Sequence, residues 1–194
     1  MLISIVGNIA CGKSHLMKYL DGQGLNIIFI QEPVDEWQQM LSLFYKDKKK
    51  YAFALQQLIL ITYHNKIARI HERNKDKIII TERSILDSSA VFCKMLYDEG
   101  NIKEEDYLLY KKLYDVYNIF PYDKIVYMNT LPDECLLRYK KRNREGEILD
   151  INYLTKIDTY YKDFLGNIDI DLYILAGNYT KIDIEKLILY LIKG

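Results

Sequence analysis

Cysteine is scarce in this chain and cannot be paired off: there are three, Cys11, Cys93 and Cys135, among 194 residues. An odd number at wide spacings excludes a disulfide framework and a cysteine-built zinc site, and it fits a reducing, cytoplasmic compartment. Histidine is as sparse, and His15, His64 and His71 lack the spacing of a metal-ligand set. Net charge is absent too, since 27 basic residues balance 27 acidic ones. That balance argues against nucleic acid as a partner. No apolar run reaches the roughly 20 residues that span a bilayer, so no membrane partner is expected. No secretory leader is expected either, because an apolar run begins at Leu2 and feeds directly into a glycine loop. Repeats and linker-like tracts are lacking, which points to one domain over residues 1–194.

What the chain does have is Gly7-Asn8-Ile9-Ala10-Cys11-Gly12-Lys13-Ser14, entered from Leu2-Ile3-Ser4-Ile5-Val6. The stretch reads G-x-x-x-x-G-K-[ST], the phosphate-binding loop. The apolar run suits an inner parallel strand. Gly7 and Gly12 let backbone N–H groups curl onto an anion, and a helix beginning near Lys13 aims its positive end at the same place. All eight residues, Gly7 to Ser14, are expected to bind a nucleotide's phosphates: Lys13 on the outer phosphates, and the Ser14 hydroxyl on Mg²⁺. Cys11 reads as a filler within the loop.

Further strand-like runs occur at Asn26–Ile30, Lys77–Thr81, Lys124–Met128 and Asp171–Leu175. Helix-length segments lie between and after them, at Tyr51–Arg73, Ile85–Tyr97, Glu104–Asn118, Pro132–Arg142, Asn152–Phe164 and Ile182–Ile192. The alternation predicts an α/β fold, a five-stranded parallel sheet with helices on both faces. Ligands in such folds sit outside the carboxyl ends of the strands. The residues there are Gln31-Glu32-Pro33-Val34-Asp35-Glu36-Trp37, Thr81-Glu82-Arg83-Ser84 and Asn129-Thr130-Leu131-Pro132.

Carboxylates and an arginine beside a phosphate loop point to phosphoryl transfer, which needs positioning, charge neutralisation and a group to deprotonate the nucleophile. Glu32 suits that last role beside the loop; a glutamate taken alone is more often a helix cap or a surface carboxylate. Glu82 suits support of Mg²⁺, and Arg83 suits holding Glu32 or an acceptor hydroxyl, or else a structural ion pair. Arg138 and Arg142 share a helix face. With Arg144 they suit a lid over residues 138–147 that closes on a triphosphate, although charge runs are more often solvated faces. Lys46-Asp47-Lys48-Lys49-Lys50 reads as an exposed loop without chemistry. Asn74-Lys75-Asp76 lacks the spacing of the guanine-reading element of GTPases, and Asp21-Gly22-Gln23-Gly24 comes too early for a switch.

Taken in order and spacing, the blocks GNIACGKS (Gly7–Ser14), EPVDEW (Glu32–Trp37), YAFALQQ (Tyr51–Gln57), ERS (Glu82–Ser84) and LPDECLLRYKKRNREGE (Leu131–Glu147) resemble the deoxynucleoside kinases related to deoxycytidine, deoxyguanosine and mitochondrial thymidine kinases. The resemblance implies an enzyme that uses ATP and Mg²⁺ to phosphorylate a deoxynucleoside 5′-hydroxyl. It implies Glu32 as catalytic base, with Arg83 and Lys13 in the catalytic set, and Glu82 with Ser14 at the metal. It further implies Tyr45 and Glu147 at the 3′-hydroxyl, Gln56 reading the base, and Trp37 and Phe92 packing on it. A homodimer is implied, with Ile59, Ile61 and Val91 as candidate contributors. The arginine–aspartate pair that reads the base in deoxycytidine and deoxyguanosine kinases corresponds here to Tyr63 and Ser88, beside Asp87. That departure favours thymidine or a broad range of pyrimidine deoxynucleosides. ERSILDSSAVF and YDEGNIKEEDY also resemble small bacterial deoxyadenosine and deoxyguanosine kinases, and Leu55 stands where an aromatic is common. The competing readings are a purine deoxynucleoside kinase, a thymidylate-type monophosphate kinase, and a non-catalytic nucleotide-binding module.

Overall fold

A computed structural model describes residues 1–143 and 148–193. Five strands, β1 (Leu2–Gly7), β2 (Ile27–Ile30), β3 (Ile78–Glu82), β4 (Lys124–Asn129) and β5 (Asp171–Ala176), form one parallel sheet in the order β2-β3-β1-β4-β5. This is the five-stranded α/β architecture the alternation predicts. β1 is central and buried throughout, which its near-continuous apolar sequence allows.

Side-chain alternation along β1 sorts the core between two faces. Ile3 and Ile5 pack with Leu16, Met17 and Leu20 of α1 (Lys13–Asp21) and with Leu187 and Leu191 of α9 (Lys181–Ile192). Val6 packs on the opposite face with Ile157 and Tyr161 of α8 (Ile151–Gly166). A separate apolar layer joins α2 (Val34–Lys46), α3 (Lys48–His71) and α6 (Glu104–Tyr117) through Trp37, Phe44, Leu60, Tyr63 and Tyr110.

Three local features differ from the expected elements. Residues 34–46 form a helix that no period-based reading assigned. The expected loop at Lys46–Lys50 shrinks to Asp47, whose carboxylate accepts from Lys50 N at 3.1 Å and so caps α3. The segment expected as one helix from Ile85 is a rod of three parts: α4 (Ile85–Asp87), a π-helical turn at Ser88–Cys93, and α5 (Lys94–Asp98). The remaining helix, α7 (Pro132–Arg142), begins with proline in its first turn, where the missing N–H costs nothing.

Val91 is fully buried among Val6, Met95 and Tyr161 within this one chain. It therefore cannot contribute to a contact with a second copy, contrary to the expectation. Ile59 faces the cleft described below, and Ile61 is 37% exposed. Among the described residues, no helix is long and apolar enough to cross a membrane, and all three cysteines are free and buried.

Candidate active site

The strand ends open onto a cavity of about 520 Å³. Its floor is the glycine loop between β1 and α1. Gly7 holds φ +147°, and a Cβ there would lie 2.9 Å from Met128 O, so only glycine fits between the loop and β4. Lys13 Nζ lies on the loop, donating to Gly7 O at 3.2 Å and Asn8 O at 2.9 Å. Ser14 Oγ donates to Glu82 Oε1 at 2.7 Å. The side chains of Asn8 and Cys11 turn elsewhere: Asn8 Nδ2 donates to Leu154 O of α8 at 2.8 Å, and Cys11 is in the core beneath the loop. These two positions can meet an anion only through their backbones.

Opposite the loop, Glu32 follows β2 and Arg83 follows β3. Arg83 Nε donates to Glu32 Oε1 at 3.0 Å, and its Nη1 donates to Gly7 O at 3.0 Å. Arg83 has φ +61°, a conformation that costs a non-glycine residue about 1–2 kcal/mol and persists only where the surroundings impose it. They do so here. Nη1 also donates to Tyr161 Oη at 2.7 Å, Tyr161 donates to Asp87 Oδ2 at 2.6 Å, and the Phe92 ring lies 4.6 Å from the guanidinium carbon. Asp87 also closes a capping box, its Oδ1 accepting from Ser84 N at 2.6 Å and Ser84 Oγ at 2.7 Å.

Burial alone would weaken the Arg83 charge, but Tyr161, Glu32 and Asp87 outweigh it and hold the guanidinium well above its ordinary pKa. Burial, with Glu32 and Asp87 nearby, pushes Tyr63 up, and burial does the same to Tyr161. Both phenols are therefore neutral donors.

Of the expected site residues, Ile9, Ala10, Gly12, Lys13, Ser14, Glu32, Trp37, Tyr45, Gln56, Glu82, Arg83, Phe92, Arg138 and Arg142 all line this one cavity. Gln56 is 3% exposed, and its Oε1 has no hydrogen-bond partner among the described residues. Trp37 Nε1 donates to Thr62 Oγ1 at 3.2 Å. Arg138 braces the loop from behind, with Nη1 2.6 Å from Cys11 O and Nη2 2.9 Å from Gly177 O. Arg144 and Glu147 lie outside the described residues. Tyr63 is not part of the cavity wall; its hydroxyl donates to Glu82 O at 2.7 Å, whereas Ser88 and Leu55 do line the cavity. Sequence reasoning passed over Asp87 as a support and missed Tyr161 altogether. The capping pattern Ser84-x-x-Asp87 was a legible signal, while nothing in the sequence links Arg83 to a tyrosine 78 positions away.

A model of the deoxynucleoside kinase family matches residues 3–191. The chain belongs to the deoxynucleoside kinase family. The kinase is 31% identical over 179 residues to a thymidine kinase of Ictalurid herpesvirus 1 (strain Auburn), covering 86% of this chain and 75% of that one. It is 32% identical over 190 residues to a deoxyadenosine kinase of Dictyostelium discoideum, covering 95% and 75%. The solved structure of a deoxyadenosine kinase from M. mycoides, with products dCMP and a flexible dCDP bound, matches it with a TM-score of 0.85 at 25% identity over 98% of each chain. The kinase is thus an enzyme that uses a nucleotide, and its relatives differ among themselves in the base they are named for.

Proposed function

We propose that this kinase transfers the γ-phosphate of ATP to the 5′-hydroxyl of a deoxynucleoside, with thymidine and other pyrimidine deoxynucleosides preferred. The carrying observation is the Glu32–Arg83 pair, 3.0 Å between Nε and Oε1, facing Lys13 and Ser14 across one cavity. Glu32 is the base that takes the 5′-hydroxyl proton, and Arg83 holds its carboxylate toward the acceptor. Lys13 and the loop N–H groups neutralise the donor phosphates. Mg²⁺ keeps most of its ligands as water and substrate phosphate and takes few from protein. Hard oxygens on Ser14 and Glu82, 2.7 Å apart, fit that need, and Mg²⁺ would there offset charge on the transferring group.

The pyrimidine preference rests on the loss of the arginine–aspartate reader, since Tyr63 turns away from the cavity and Ser88 lines it without a charge. Leu55, Trp37, Phe92 and Ser88 carry no charge, and Gln56 offers one amide donor and one acceptor to a base edge. Tyr45 stands on the same wall, suited to the sugar. The likeness to two deoxyadenosine kinases favours purine deoxynucleosides as a second reading; that the M. mycoides protein holds dCMP keeps pyrimidines compatible with such a scaffold.

The test is ADP release from ATP and Mg²⁺ with each of the four deoxynucleosides and with thymidylate. Turnover is expected with thymidine or deoxycytidine. Turnover on thymidylate alone would overturn the proposal, and turnover on purines alone would replace its base preference. Glu32→Gln is expected to slow turnover about 10²–10⁴-fold while nucleoside binding persists.

A further inference from the structure

Arg83 stands between two carboxylates. Glu32 is the more exposed, at 21% of its side chain, and is held at 3.0 Å; Asp87 is fully buried and lies 3.5 Å from Nη1. In the interior an unshielded carboxylate attracts a guanidinium more strongly than a solvated one does. Asp87 already forms a long ion pair with Arg83 Nη1, and it would close that distance at the expense of the Glu32 contact if nothing intervened. What intervenes is the Tyr161 hydroxyl, which donates to Asp87 Oδ2 at 2.6 Å and accepts from Arg83 Nη1 at 2.7 Å. Tyr161 itself has no exposed surface, and Phe92 closes one face of the guanidinium. α8 is anchored to the phosphate loop two turns earlier, where Leu154 O accepts from Asn8 Nδ2 at 2.8 Å. The hydroxyl is thus fixed relative to the loop as well.

We propose that Tyr161 is a positioning residue: its hydroxyl satisfies Asp87, keeps Arg83 from collapsing onto it, and so leaves Arg83 Nε turned to Glu32. The inference rests on the reading of Glu32 as base and Arg83 as its partner. Tyr161→Phe keeps the buried ring and removes only the hydroxyl.

The experiment is steady-state kinetics with the nucleoside that turns over fastest, with folding checked by circular dichroism. Tyr161→Phe is expected to lower kcat on the order of tenfold to a hundredfold, with the nucleoside KM within about twofold of wild type. Adding Asp87→Asn removes the competing charge and is expected to restore most of the lost kcat. In a Glu32→Gln background, Tyr161→Phe is expected to leave the residual rate unchanged. A merely structural tyrosine would behave differently. Its loss would slow both backgrounds by the same factor, and Asp87→Asn would deepen the defect; either result overturns the proposal. Wild-type kcat in Tyr161→Phe beside a slow Glu32→Gln would overturn the positioning role alone. A wild-type rate in Glu32→Gln would overturn the underlying reading and this inference with it.

Discussion

Replacing Gly7 with alanine perturbs the point where the glycine loop meets Arg83. The added Cβ would lie 2.9 Å from Met128 O and 3.0 Å from Cys11 Sγ, on a backbone at φ +147°. Met128 pairs with Gly7 in the β1–β4 ladder and follows the buried strand residues Val126 and Tyr127, and its carbonyl accepts from Thr130 N at 3.1 Å, so it cannot withdraw without disturbing that turn. The backbone conformation costs about 1–3 kcal/mol and the overpacking a similar amount. Taking about 3 kcal/mol, a chain of this size should melt roughly 6–12 °C lower. Gly24→Ala is the control: φ is +68° there with no atom within 4 Å of the new carbon, so only about 1 kcal/mol and roughly 2–4 °C are expected. Activity should fall further than stability explains. Gly7 O accepts from both Lys13 and Arg83, and a shift of about 1 Å in such a junction costs on the order of a hundredfold in rate. Thermal melts followed by circular dichroism, together with ADP release well below the melting range, measure both effects. A Gly7→Ala enzyme that melts like the Gly24→Ala control, or turns over at the wild-type rate, would refute the reasoning.

Three further outcomes are expected. Trp37 is the sole tryptophan, is 2% exposed and lines the cleft, so a deoxynucleoside substrate should change its fluorescence saturably; unaltered emission under turnover conditions would contradict its placement. Burial raises the thiol of Cys93 and pushes that of Cys135 up to about 12, and all three cysteines are buried. A disulfide reagent at pH 8 should therefore react promptly with none in the native enzyme and with three after denaturation. Burial alone would raise the Asp98 carboxyl, but hydrogen bonds from Lys94 and Tyr160 hold it below the ordinary value. The stability it contributes is present above the unfolded pKa of about 3.9 and is lost as pH falls through the lower folded one. Asp98→Asn should thus cost under about 1 kcal/mol at neutral pH, because solvent screens the site, and nothing in strong acid; urea melts at both pH values check this.

The phosphate loop, the five strands and most helices were legible because each depends on local physics: apolar runs, 3.6-residue spacing, glycines at a turn, a lysine at a helix start. Glu32 and Arg83 were legible for the same reason, since each lies within two residues of a strand end. α2 was legible in principle, since Val34, Trp37, Leu41 and Phe44 recur at helical spacing, but its start directly after the Glu32-Pro33 strand-end turn and the lysines around Asp47 disguised it as loop. The break in the helix after Ser84 was also hidden, because a single π turn adds one residue to the helical register and leaves little mark in periodicity. By itself, then, the sequence determined the fold class and the family, and it picked out side chains that line one cavity. Only the tertiary structure decided how those side chains are held. It sets Asp87 and Tyr161 behind Arg83, ties Tyr63 to a backbone carbonyl away from the cavity, and turns Asn8 toward α8. Apart from Asp87, which is only four residues beyond Arg83, those contacts join residues well separated in the chain, and the packing of α8 and α3 against the sheet brings them within hydrogen-bond reach.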